Sequence, residues 1–268
     1  MSDSEHALLI KSLPWQDKVA ILSLLGVVTI LSWLYLIDMA LGMDMSGMMS
    51  GEACDMMMMQ DWDASYFVAM LLMWVIMMIG MMVPTAVPMA LIYAAISRKA
   101  AKQGITLVPT STFVSGYIVM WSLFSLVATL AQWGLDEAAL LSPMMVSNSP
   151  LFGASLLIVA GLYQLTPYKD ACLKHCREPA RFISQSWRPG SWGAFRMGLE
   201  HGAYCIGCCW ILMGLLFFGG VMSLYWIAGI TLFVLLEKVI PFGNLGGRIA
   251  GGGMTLAGIT MLIVWVKF

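Results

Sequence analysis

The run HGAYCIGCCW, from His201 to Trp210, sets one imidazole and three thiols at positions 201, 205, 208 and 209. On a helix turning about 100° per residue, the spacings i, i+4, i+7 and i+8 hold these four donors within an arc of about 100°. Thiolates and imidazoles suit Cu(I), with zinc as the competing ion. A single cysteine here would be ordinary packing, but four donors on one face form a metal-site pattern. Glu200 directly precedes the set and is placed to orient His201 or to act as a hard ligand. A second group, YKDACLKHCREP, supplies Cys172, His175 and Cys176. These three share a face if the segment is helical. They read as part of the same site, as a successive site, or as a structural zinc staple ordering a basic loop.

Methionine is the other donor in excess. Of 25 methionines, sixteen fall between Met39 and Met89. Met43, Met45, Met48 and Met49 belong to a segment, Met39 to Asp63, that mixes thioethers with carboxylates, Cys54 and Trp62. It is too polar and too rich in glycine to be a span. An apolar core does not explain thioethers there, whereas soft ligation of Cu(I) does, and thioethers persist where thiols are oxidised. Met70, Met73, Met77 and Met81 form one stripe of a following helix, with Met78 and Met82 beside it. Such a stripe either passes a soft ion between weak sites or fills irregular gaps in a bundle. Pro84 and Pro88 bend the same helix.

These residues need a frame, and composition says which. The chain is 268 residues long, 60% hydrophobic and only 11% charged, where soluble domains carry about 25% charged residues. A net charge of −1 excludes an electrostatic nucleic-acid binder. The expected fold is all-α, a polytopic transmembrane bundle of about seven spans. These run near 19–37, 64–95, 107–131, 151–165, 198–218, 221–236 and 249–266. An N-terminal tail and anchor helix (1–37), a Met/Asp-rich outer loop (38–63) and a six-span metal-binding domain (64–268) follow from this division. The first span is too long for an ordinary signal peptide and is read as a retained anchor. Glycines crowd the last span, which points to close helix packing.

Basic residues lie in the N-terminal tail and in the second, fourth and sixth loops, whereas the first, third and fifth loops hold none. The positive-inside rule then puts the N-terminus in the cytoplasm and the C-terminus outside. Both Cys/His groups fall at the inner face, where thiols stay reduced. Glu237 and Lys238, in LLEKVIP, read as a functional carboxylate near the membrane boundary or as an interfacial ion pair.

The segments PTAVPM, QLTPYKDACLKHCREP, WRPGSWGAFRMGLEHGAYCIGCCW and LLEKVIP occur in an order that resembles an uncharacterised bacterial family of predicted metal-binding integral membrane proteins. The resemblance runs from about Met70 to the C-terminus. It implies a polytopic inner-membrane protein that binds metal near these cysteines, without implying an activity.

The leading expectation is a copper(I)-handling membrane protein that transports or delivers the ion from thioethers to thiolates. Affinity rising inward suits uptake. No phosphate-binding loop is present, which argues against ATP-driven pumping by this chain alone. The expected partners are a soft metal ion, the bilayer, and a periplasmic metallochaperone or copper enzyme subunits. Two alternatives stand beside it: an assembly subunit of a copper membrane enzyme, and a quinone-linked thiol oxidoreductase using Cys205 and Cys208.

Overall fold

A computed structural model describes residues 10–47, 62–141, 145, 147–240 and 245–267, with side chains of 43–47 outside the description. Its described elements are helices: α1 (Trp15–Gly47), α2 (Ala64–Ala101), α3 (Thr110–Glu137), α4 (Pro150–Gln164), α5 (Pro167–Arg177), α6 (Pro179–Ser186), α7 (Gly190–Gly214), α8 (Leu216–Gly219), α9 (Leu224–Val239) and α10 (Leu245–Lys267). Local sequence marks several of their starts. Pro150, Pro167 and Pro179 open α4, α5 and α6, where a missing N–H costs nothing. Side chains of Asp63, Ser149 and Thr166 cap α2, α4 and α5. The bond that Asp63 accepts from the Tyr66 N–H holds its carboxyl below the usual carboxylate range. Gly190 takes a φ of +81° at the sharp turn into α7, a conformation that favours glycine.

Among the described residues, five helices are long and apolar enough to cross a membrane: α1, α2, α3, the α7–α8 stretch and α10. The pair α4 and α5, bent by 65°, makes a sixth if it is counted as one broken span. Two segments expected as spans come as shorter helices, α4 with 15 residues and α9 with 16. At 1.5 Å per residue they reach only about 22 and about 24 Å, against a hydrocarbon core of about 30 Å. Boundaries also differ from the hydropathy reading. The first helix continues through Met43 and Met45 to Gly47, well past the expected start of the outer loop at residue 38. Polar residues at a helix end lower hydropathy without stopping helix formation.

The α2 helix is the central element, with its six stripe methionines and Trp74 all buried. Pro84 has no N–H for the Gly80 carbonyl, and the Trp33 indole of α1 donates to that oxygen at 3.2 Å. The break is thereby paired within protein, as a low-dielectric setting requires. Two helix crossings are glycine-dependent. A Cβ added at Gly116 would run into the Phe195 carbonyl, and one at Gly198 into the Phe113 carbonyl, so α3 and α7 meet backbone to backbone. Gly161 of α4 meets Gly251 and Thr255 of α10 in the same way, and Gly258 meets Ala154. This is the close packing expected of the last span, carried by two of its glycines. Gly246, Gly252 and Gly253 face open space.

Candidate metal centre

Cys205, Cys208 and Cys209 all lie on α7 with 0–1% exposure. Their i, i+3, i+4 spacing puts them on one face, and Cys205 is the hub. The side chains of Cys208, Cys209 and Cys176 lie around the Cys205 thiol, and Cys176 also lies beside Cys208. The Cys208 and Cys209 thiols turn back to the Cys205 carbonyl at 3.1 and 2.9 Å. Cys176 arrives from α5, which lies against α7 because Gly207 leaves room. A Cβ at Gly207 would sit 2.8 Å from the Cys172 sulfur, and the Tyr163 hydroxyl donates to the Gly207 carbonyl. One helical turn beyond Cys172, Cys176 lies near the Cys205 and Cys208 thiols. All five described cysteines are free thiols.

Two further groups complete the surroundings of Cys205. Lys238 Nζ donates to its sulfur at 2.9 Å and to Thr85 Oγ1 at 3.1 Å. The Tyr117 hydroxyl lies 3.1 Å from the same sulfur and donates to the Met82 carbonyl at 3.1 Å. Tyr117 therefore joins the end of the methionine stripe to the thiols. Met70, Met73, Met77, Met78, Met81 and Met82 belong to one buried core with Cys205, Cys208 and Cys209. At the far end of the stripe, the buried Gln132 amide donates to the sulfurs of Met145 at 3.2 Å and Met70 at 3.7 Å. Its Oε1 accepts from the Trp74 indole at 2.6 Å. Sequence reasoning passed over Gln132 and Tyr117, for which a lone amide within the apolar α3 was the one available signal, and read Lys238 only beside Glu237 at the membrane boundary.

Other expected donors go elsewhere. His201 shares the helical face of the thiols, yet its ring packs among Phe113, Tyr117 and Phe182. Its Nδ1 is buried and has no hydrogen-bond partner. His175 stacks on Tyr204 at 4.0 Å and points Nδ1 at the Ala171 carbonyl. Cys172, His175 and Cys176 thus share one face of α5, an arc of about 100°, but each meets a different neighbour: Gly207, Tyr204 and the Cys205–Cys208 thiols. Glu200 does not orient His201; it pairs with Arg188 at 2.5 Å and Arg196 at 3.5 Å. Glu237 and Lys238 do not pair with each other. Glu237 takes the buried Lys169 ammonium, and Lys238 turns about 100° away to Cys205. The side chains of Met43 and Met45, and all of Met48 and Met49, lie outside the described residues.

Among the described residues, no three or more His, Cys, Asp or Glu side chains are arranged as a ready-made metal site. Cys208 and Cys209 instead donate to helix backbone, and Cys205 faces Lys238 and Tyr117. Cys205 also stands 15 residues into the Gly190–Gly219 stretch, about 22 Å from its start. The helix α7 begins two turns earlier than hydropathy suggests, with Arg196 and Glu200 paired on its surface.

A family model named PpoB2 and described as a copper chaperone matches residues 71–261 of the chain. No curated protein and no solved structure matches it.

Proposed function

Because this chain belongs to the PpoB2 copper chaperone family, we propose that it is a multi-pass protein of the bacterial inner membrane that carries Cu(I) as cargo to a client. The outer methionines, Met43, Met45, Met48 and Met49, collect the ion. The stripe Met70, Met73, Met77 and Met81 passes it between weak thioether sites, and the thiols of Cys176, Cys205, Cys208 and Cys209 hold it. The observation that carries this reading is the continuity of stripe and thiols within one buried core, bridged by Tyr117.

The chemistry is ligand exchange at a soft ion, with copper staying Cu(I) throughout. Thiols must lose protons to bind and regain them on release. Loading needs only side-chain rotation: Cys208 and Cys209 give up their bonds to the Cys205 carbonyl and turn to the ion. The Lys238 ammonium, already at Cys205, offsets the negative charge that several thiolates would bring into an apolar site. In this reading the N-terminus faces the cytoplasm, and α4–α5 and α9 complete the seven crossings. The family description favours delivery over transport as an end in itself. No observation favours thiol oxidation, and zinc remains the ion to compete against.

Purified, reduced protein in detergent, loaded anaerobically with Cu(I) and desalted, should keep the ion. The Cys205→Ser, Cys208→Ser double variant should lose it. A wild type that leaves the column free of metal contradicts the proposal.

A further inference from the structure

We infer that Phe182 is the door through which Cu(I) leaves the buried cluster, with His201 as the stepping ligand behind it and His175 the receiving ligand in front. This deepens the copper-carrying reading and rests on it.

The argument starts from His201. An imidazole with 3% exposure and an unpartnered Nδ1 is costly to bury, since each lost hydrogen bond goes uncompensated. Nothing in its surroundings uses that nitrogen. It lies one helical turn from Cys205, toward the N-terminus of α7. Beyond it lies a cavity of about 290 Å³, lined by Ala171, Lys174, His175, Glu178, Arg181, Phe182 and Gln185. This vestibule opens at the end of the bundle that carries the basic residues of α5 and α6.

Phe182 belongs to both places. It lines the vestibule, yet it is 2% exposed and packs in the core. Its ring centroid lies 5.7 Å from His201, 6.5 Å from His175 and 6.0 Å from Tyr204. A single aromatic ring therefore separates a buried, unused imidazole from an accessible one. Rotation of Phe182 would connect them without moving a helix. Imidazole binds Cu(I) less softly than thiolate does, so His201 and His175 suit transient holding on the way out. No electron changes hands, and the thiols take back protons as the ion departs.

The test is the rate at which anaerobically loaded, full-length protein gives Cu(I) to excess bicinchoninate, alongside its equilibrium affinity. Phe182→Ala should speed release by about tenfold or more, with affinity unchanged. Phe182→Leu keeps most of the apolar volume, guards against misfolding, and should fall between Phe182→Ala and wild type. His201→Ala should slow release with the phenyl ring intact. Wild-type release rates in both Phe182 variants, or rates that change only in step with affinity, overturn the door. A wild type that cannot be loaded overturns the copper-carrying reading as well, which separates the two failures.

Discussion

The α3–α7 pair and the α4–α10 pair are both drawn together by glycines whose missing Cβ atoms let backbone meet backbone. Around the first crossing sit Tyr117, Cys205, His201 and the carbonyl end of the methionine stripe. The second crossing holds glycine, threonine and alkyl groups, and its one buried ion pair, Lys169 with Glu237, lies at the rim beside Gly247. Close approach alone therefore does not mark a site in this bundle. What distinguishes the α3–α7 side is a set of polar and sulfur groups with more binding capacity than packing requires. On the α4–α10 side the Gln164 Oε1 accepts from Lys169 while its Nε2 has no partner among the described residues, and this side serves as scaffold.

This contrast is breakable by mutation. The largest effect should come from the scaffold: Glu237→Ala leaves Lys169 buried at 1% exposure without its carboxylate. Breaking such a pair costs about 3–5 kcal/mol. Denaturation should show that loss, while copper retained per folded molecule stays at the wild-type level. Next come the two crossings. Gly116→Val and Gly161→Val should each destabilise by about 1–3 kcal/mol through overpacking. Only Gly116→Val should also lower copper retention, because it displaces Tyr117 and α7. Equal retention in both variants would erase the distinction between the two sides.

Smaller effects probe the site itself. Lys238→Gln removes the ammonium that touches Cys205 and should weaken Cu(I) affinity about tenfold, as a charged hydrogen bond of about 1.5 kcal/mol implies. Chelator competition reads this directly. The smallest expected change is in stability for Met77→Leu with Met81→Leu, within about 1.5 kcal/mol because volume is conserved. In that variant loading should slow while final retention holds. Loading at the wild-type rate would make the stripe mere packing.

The helices were legible in the sequence because lipid-compatible runs are long and local. So was the convergence of Cys205, Cys208 and Cys209, which follows from helical spacing alone. What escaped was contact between distant segments. Lys238 reaches Cys205 across 33 positions and Tyr117 across 88, and no periodicity reports such pairs. Lys169 counted as one more basic loop residue, yet the bend between α4 and α5 buries it. Helical spacing put His201 on the face of the thiols but could not show that its ring packs among Phe113, Tyr117 and Phe182. Hydropathy missed the first two turns of α7, where Arg196 and Glu200 pair on the helix surface.

X-ray absorption at the copper edge of the anaerobically loaded protein tests the central claim most directly. The account predicts Cu(I) in a coordination shell made only of sulfur, at two or three ligands, that disappears in the Cys205→Ser, Cys209→Ser variant. A shell of nitrogen or oxygen, or a sulfur shell that survives loss of both cysteines, would contradict it.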